Sequence, residues 1–196
     1  MELPPIPSWD GLHPLIVHFP VALLLVAPLF VVLGVIFRDK GRVFLTSALL
    51  LMVLGTIAAF VAVGSGEAAG ELADRTPEIN AVLQHHLKLA ETSRLIFTIL
   101  TVIFAVILYG PTLLKKELKR PVALALYGCF LVLYAGGSLV LSNTAHNGGR
   151  LVHEFGVKAI MDPAPLPGQA MGKPLDADDR VRDGQGVHQD TEAKED

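Results

Sequence analysis

Four long apolar runs, at about residues 14–37, 43–65, 92–113 and 121–142, constrain this chain more than any motif does. Each is on the order of 20 residues or more, enough at ~1.5 Å per residue to cross ~30 Å of hydrocarbon as a helix. None has a charged residue in its middle. A helix on the surface of a soluble core shows a polar face every 3.6 residues, and these runs are apolar all round. The expectation is an all-α integral membrane protein, a four-helix bundle. Composition agrees: 52% of the 196 residues are hydrophobic and the mean hydropathy is +0.51, both high for a soluble chain.

The loops orient the bundle. Arg38, Asp39, Lys40 and Arg42 follow the first run, and Lys115, Lys116, Glu117, Lys119 and Arg120 follow the third. Short basic loops stay in the cytoplasm. The segment before the first run has no basic residue, and the connector after the second carries Glu67, Glu71, Asp74 and Glu78 against Arg75 and Lys88. Both termini are therefore expected in the periplasm of a bacterial inner membrane. The N-terminus lacks the basic start and short apolar core of a secretory signal. Residues 1–161 are expected to form the membrane domain. From residue 162 onward Pro, Asp, Glu, Gly and Gln dominate, and such a segment buries too little apolar surface to order itself. No internal repeat stands out.

Within the first run, Pro14 suits the first turn of a helix, whereas Pro20 and Pro28 should kink it. Gly66 and Gly70 end the second run at a spacing that allows close backbone approach or room for a flat ligand. Thr76-Pro77-Glu78 restarts a helix that is amphipathic from Ile79 to Ala90 and runs on into the third span.

The histidines carry the functional signal. Of seven, His13, His18, His85, His86, His146 and His153 map to the outer end of the bundle, none maps to the cytoplasmic end, and His188 lies in the tail. An interface tolerates one or two imidazoles with their nitrogens wet. Six on one side and none on the other point to a ligand site, since ionisable groups at membrane helices are costly unless something engages them. Neutral imidazole suits zinc, copper and iron. No HExxH motif supports a zinc hydrolase. No Met-rich or Cys-rich run supports a copper relay. The single Cys129 excludes an intrachain disulfide, and no CxxCH offers covalent haem attachment.

Haem b fits better, because it takes axial nitrogens from one or two helices, apolar walls, and cations for its propionates. His18 is the expected leading ligand, opposite His86 or His146. His13 and His153 are candidates for a second haem or for an outer shell of hydrogen bonds, and Arg94 and Arg150 for the propionates. On an unbroken helix His146 and His153 lie seven residues apart, about two turns, and point the same way.

The motif His13-Pro14-x-x-Val17-His18-Phe19-Pro20 resembles the opening of bacterial membrane proteins catalogued as domain-of-unknown-function 2231. His86-x-x-Leu89-Ala90 and His146-x-Gly148-Gly149-x-Leu151-Val152-His153 are similar to two further pieces of that family, and the likeness covers roughly residues 12–157. Some members are fused to c-type cytochrome modules, so the resemblance implies an electron-transfer setting. Two functions follow. One is a b-type cytochrome-like subunit that exchanges electrons between quinol in the outer leaflet and a periplasmic partner such as a c-type cytochrome. The other is a structural or assembly subunit of a larger membrane complex, without a cofactor. Periplasmic copper or zinc handling is a third, weaker reading. No catalytic triad, phosphate loop or paired carboxylates mark an independent enzyme.

Overall fold

The computed structural model describes residues 7–157 apart from Arg38, Asp74 and Glu117, so the expected tail lies outside the described residues. Its regular elements are helices: α1 (His13–Ile16), α2 (His18–Ile36), α3 (Gly41–Glu71), α4 (Pro77–Leu113) and α5 (Arg120–His153). Taken as α1–α2, α3, α4 and α5, four are long and apolar enough to cross a membrane. They run up and down in sequence, with α3 packed on α2 and α4, and α5 on α4 and α2. The helix starting at Thr76 does continue into the third span. It is 37 residues long, ~55 Å, so it projects well beyond the hydrocarbon. All six histidines named above lie at the end where α1 begins and α5 finishes, here the histidine end; the short loops form the basic end.

Side chains sort as lipid requires. Leu29, Val102, Val106, Val132 and Leu139 are exposed on the outside of the bundle. In water each such apolar side chain forgoes ~1.5–3 kcal/mol of burial; in hydrocarbon it forgoes almost none. Inside, the first two spans contribute Ala27 and Ala48 beside Leu24, Leu45 and Met52, and the last two contribute Phe97, Phe104, Phe130 and Tyr134. The aromatic rings form a ladder, Phe97–Tyr134–Phe130–Phe104, with centroids 5.3, 5.6 and 4.8 Å apart.

The two prolines act differently. Pro20 has no N–H for the Ile16 carbonyl one turn earlier, and the regular hydrogen-bond pattern is interrupted at the single residue Val17, which keeps helical backbone angles between α1 and α2. Pro28 sits inside an unbroken α2. It orphans the Leu24 carbonyl, and Tyr134 of α5 donates its hydroxyl to that oxygen at 2.7 Å. An unpaired carbonyl in hydrocarbon costs several kcal/mol, so a residue 110 positions away completes this helix.

At the basic end α2 and α3 touch backbone to backbone. A Cβ on Gly41 would stand 2.6 Å from the Gly34 carbonyl oxygen. At the histidine end Thr76 caps α4, its hydroxyl accepting from the Ile79 N–H at 3.3 Å, with Pro77 in the first turn. The Arg75 guanidinium donates to the Gly70 carbonyl at 3.0 Å and closes the connector. The Trp9 indole N–H donates to the Gly64 carbonyl at 3.3 Å and lays the N-terminal segment along α3.

Candidate functional site

Helix phase divides the histidines. His18, His85, His146 and His153 are exposed on the outside of the bundle. His13 and His86 turn inward, from helices on opposite corners, and lie within electrostatic range of each other. His18, the expected leading ligand, is thus placed outside, and His13, expected in a secondary role, is placed inside. Val17 keeps helical backbone angles, and the five-residue step from His13 to His18, ~140° around a helix, sets this phase. His146 and His153 do point the same way on an unbroken helix, but outward.

The two inward rings are held alike. His13 Nδ1 lies 2.9 Å from the Ala62 carbonyl oxygen and 3.3 Å from Ser65 Oγ. Ser65 itself donates to Ala62 O at 3.2 Å. His86 Nδ1 lies 3.0 Å from the Thr144 carbonyl oxygen. A carbonyl only accepts, so Nδ1 carries the proton in each neutral ring, and Nε2 is left with its lone pair. Neither Nε2 has a hydrogen-bond partner among the described residues. No buried side-chain nitrogen or oxygen among them is unpartnered either, so both Nε2 atoms open onto accessible space.

Glycine makes each arrangement possible. The accepting carbonyls belong to the residues four before Gly66 and four before Gly148, and the imidazoles lie across these glycines. A Cβ on Gly66 would come within 2.7 Å of His13 Cε1, and one on Gly148 within 3.0 Å of His86 Cε1. Leu83 takes the space at Gly70, 3.4 Å from its Cβ position. The room expected for a flat ligand at Gly66 and Gly70 is therefore filled by the protein's own side chains, and so is the space at Gly148. A group bound to both nitrogens has to lie between the rings, not against the glycines.

The surroundings form a polar layer in an otherwise apolar core. Ser65, Ser93, Thr144 and Asn147 are all buried there. Ser93 Oγ and Thr144 Oγ1 are 2.9 Å apart, and Thr144 donates back to the Val140 carbonyl. Asn147 Nδ2 donates to Asn143 O and Oδ1 at 2.9 and 3.0 Å. Sequence reasoning passed over these four residues. Their signal was Ser-Gly at 65–66 and Asn-Gly at 147–148, a small polar residue beside each glycine that receives a ring. The two arginines are engaged elsewhere: Arg94 stacks over the Phe60 ring at 5.2 Å, and Arg150 donates to Glu154 at 2.9 Å.

Among the described residues no three or more His, Cys, Asp or Glu side chains gather into a set able to hold a metal ion. The site offers two nitrogens. An open hollow bordered by Gly34, Val35, Arg120 and Tyr127 lies at the basic end, away from the histidines.

Fold and site together define a multi-pass, all-helical membrane protein with two half-buried histidines, each bonded to a neighbouring helix, at one end of its bundle. The chain belongs to the family of predicted membrane proteins DUF2231, whose profile matches residues 10–160. No curated protein and no solved structure matches it.

Proposed function

We propose that this protein is a membrane-bound b-type cytochrome-like subunit, in which His13 and His86 would hold a haem at the histidine end through their Nε2 nitrogens. The observation that supports this reading is the pair itself. Both rings are turned inward, both spend Nδ1–H on a backbone carbonyl, and both leave Nε2 free. That is how a ligating histidine is usually oriented and its basicity raised. A zinc or copper ion would ask this chain for three or four ligands. Haem brings four nitrogens of its own and asks for two. When bound it supplies reversible one-electron chemistry.

The chain's residues then divide the work. The Ala62 and Thr144 carbonyls fix the tautomer and the aim of each ring. Gly66 and Gly148 let the rings approach. The neighbouring polar layer and the apolar core beyond it, from Leu24 and Phe97 onward, keep the helices packed around the site. With its ligands at one end only, the subunit exchanges electrons on one face of the membrane. Basic short loops at the other end favour the periplasmic face for this exchange, with quinol and a periplasmic redox protein as the partners that chemistry suits.

A cofactor-free structural subunit is the second reading. It is favoured by the satisfied state of the buried polar layer, in which each Nδ1–H bond joins two helices. Absorption of the purified protein, with a pyridine haemochrome assay, decides between them. The cytochrome reading expects a reducible Soret band that is lost or strongly shifted by His13→Ala and by His86→Ala and unchanged by His18→Ala. Protein expressed with ample haem that shows no such band leaves the structural reading standing.

A further inference from the structure

The two inward histidines occupy the same place in two copies of one hairpin. His13 and His86 are 73 positions apart, and so are the buried pairs Leu24 and Phe97, and Val31 and Phe104. On the second helix of each hairpin the interval is 82. It relates Ala48 to Phe130, Gly55 to Gly137, Ala62 to Thr144 and Gly66 to Gly148. Any bundle core repeats with helical period, so matched apolar positions alone say little. The polar detail says more. In both copies an imidazole at the start of the hairpin lies over a glycine of the second helix and donates to the carbonyl four residues before it.

Short stretches still match: Gly55-Thr56-Ile57 with Gly137-Ser138-Leu139, and Ser65-Gly66 with Asn147-Gly148. Packing obeys the same relation. Exchanging the hairpins turns the α3–α4 seam into the α5–α2 seam, and both seams exist. Both hairpins start at the same end, so the axis relating them runs along the bundle, as for parallel repeats related about the membrane normal.

We infer that the chain is a tandem duplication of one histidine-bearing hairpin, and that its site is two equivalent half-sites facing each other across an axis along the membrane normal. The ligand class follows. It is a planar complex whose metal accepts one nitrogen on each face, because two nitrogens related by that axis approach from opposite sides and parallel to the membrane. The identity of the ligand as haem rests on the function proposed above; the shared site does not. A macrocycle held this way stands upright, its plane containing the membrane normal.

The test uses the full chain in oriented membranes. Linear dichroism is expected to place the haem plane along the membrane normal; a plane lying flat in the membrane overturns the inference. His13→Gly and His86→Gly are each expected to turn a six-coordinate spectrum into the same five-coordinate one, and added imidazole to restore it. If either variant keeps the wild-type spectrum, the half-sites are not equivalent and the inference is overturned. Should the wild type hold no haem, only the cytochrome reading fails. The half-sites are then read by H13C/H86C in a C129A background. Joining of the two thiols within one chain by cadmium or a short bifunctional maleimide supports them, and failure to join overturns them.

Discussion

Gly66 is where one added methyl group tests the proposed site most directly. Gly66→Ala would put a Cβ 2.7 Å from His13 Cε1 and 2.9 Å from Nδ1, so the ring must shift, and we expect its bond to Ala62 to break. We expect this variant to reproduce the His13→Ala spectrum while the protein stays folded. Gly148→Ala, with 3.0 Å to His86 Cε1, should act alike but more weakly. Gly64→Ala is the control: its Cβ would meet only Trp9, at 3.6 Å. Alanine also favours the helix by up to ~1 kcal/mol. A Gly66 variant with an unaltered spectrum, alongside an altered His13→Ala, would show that the ring has another way to sit there.

At the scale of the element, α2 depends on a hydroxyl from α5. Tyr134→Phe leaves the Leu24 carbonyl unpaired, because Pro28 has no N–H to offer. We expect a loss of about 1 kcal/mol, on the scale of hydrogen bonds measured inside membrane proteins. Pro28→Ala restores the helical donor, so in the double variant the loss should largely vanish. Unfolding in mixed micelles measures the four corners of this cycle, and strict additivity would refute the coupling. The α2–α3 contact is less forgiving. Gly41→Ala sets a Cβ 2.6 Å from a backbone oxygen of Gly34. Backbone cannot swing aside as a side chain does, so overpacking of ~1–3 kcal/mol is expected, read as a lower melting temperature in detergent.

For the whole molecule, alternation of four spans puts both ends of the described chain on one side of the bundle, with the histidines. Basic loops on the other side predict which side that is. Alkaline phosphatase fused after Asp196 should be active, and a cytoplasmic fluorescent reporter at the same place should stay dark. The reverse pattern would move the histidine pair to the cytoplasmic face and remove the periplasmic partner from the proposed function. Truncation after Pro163 should leave the membrane domain and any haem spectrum intact, because the composition beyond it is too polar to build a core. Loss of expressed, folded protein on truncation would count against that division.

The spans, their order and the gathering of histidines at one end were legible in the sequence, because lipid imposes its demand residue by residue and needs no partner to be read. The helical entry at Thr76-Pro77 was legible for the same local reason. Which histidines turn into the bundle was not. His85 and His86 are adjacent, ~100° apart on a helix, and only the packing of α4 on α5 selects His86. His13 and His18 are five residues apart, ~140° around a helix, and only the packing of α1 on α3 selects His13 as the inward ring. The use of Gly66 and Gly148 as seats for imidazoles depends on α1 and α4 arriving opposite them. The duplication was hidden by the core itself: where one copy has Ala48 the other has Phe130, and where one has Val31 the other has Phe104. Equivalent positions share one interior of limited volume. As one copy gave up bulk the other took it, so the likeness survives in register and in polar contacts, which only the assembled bundle displays.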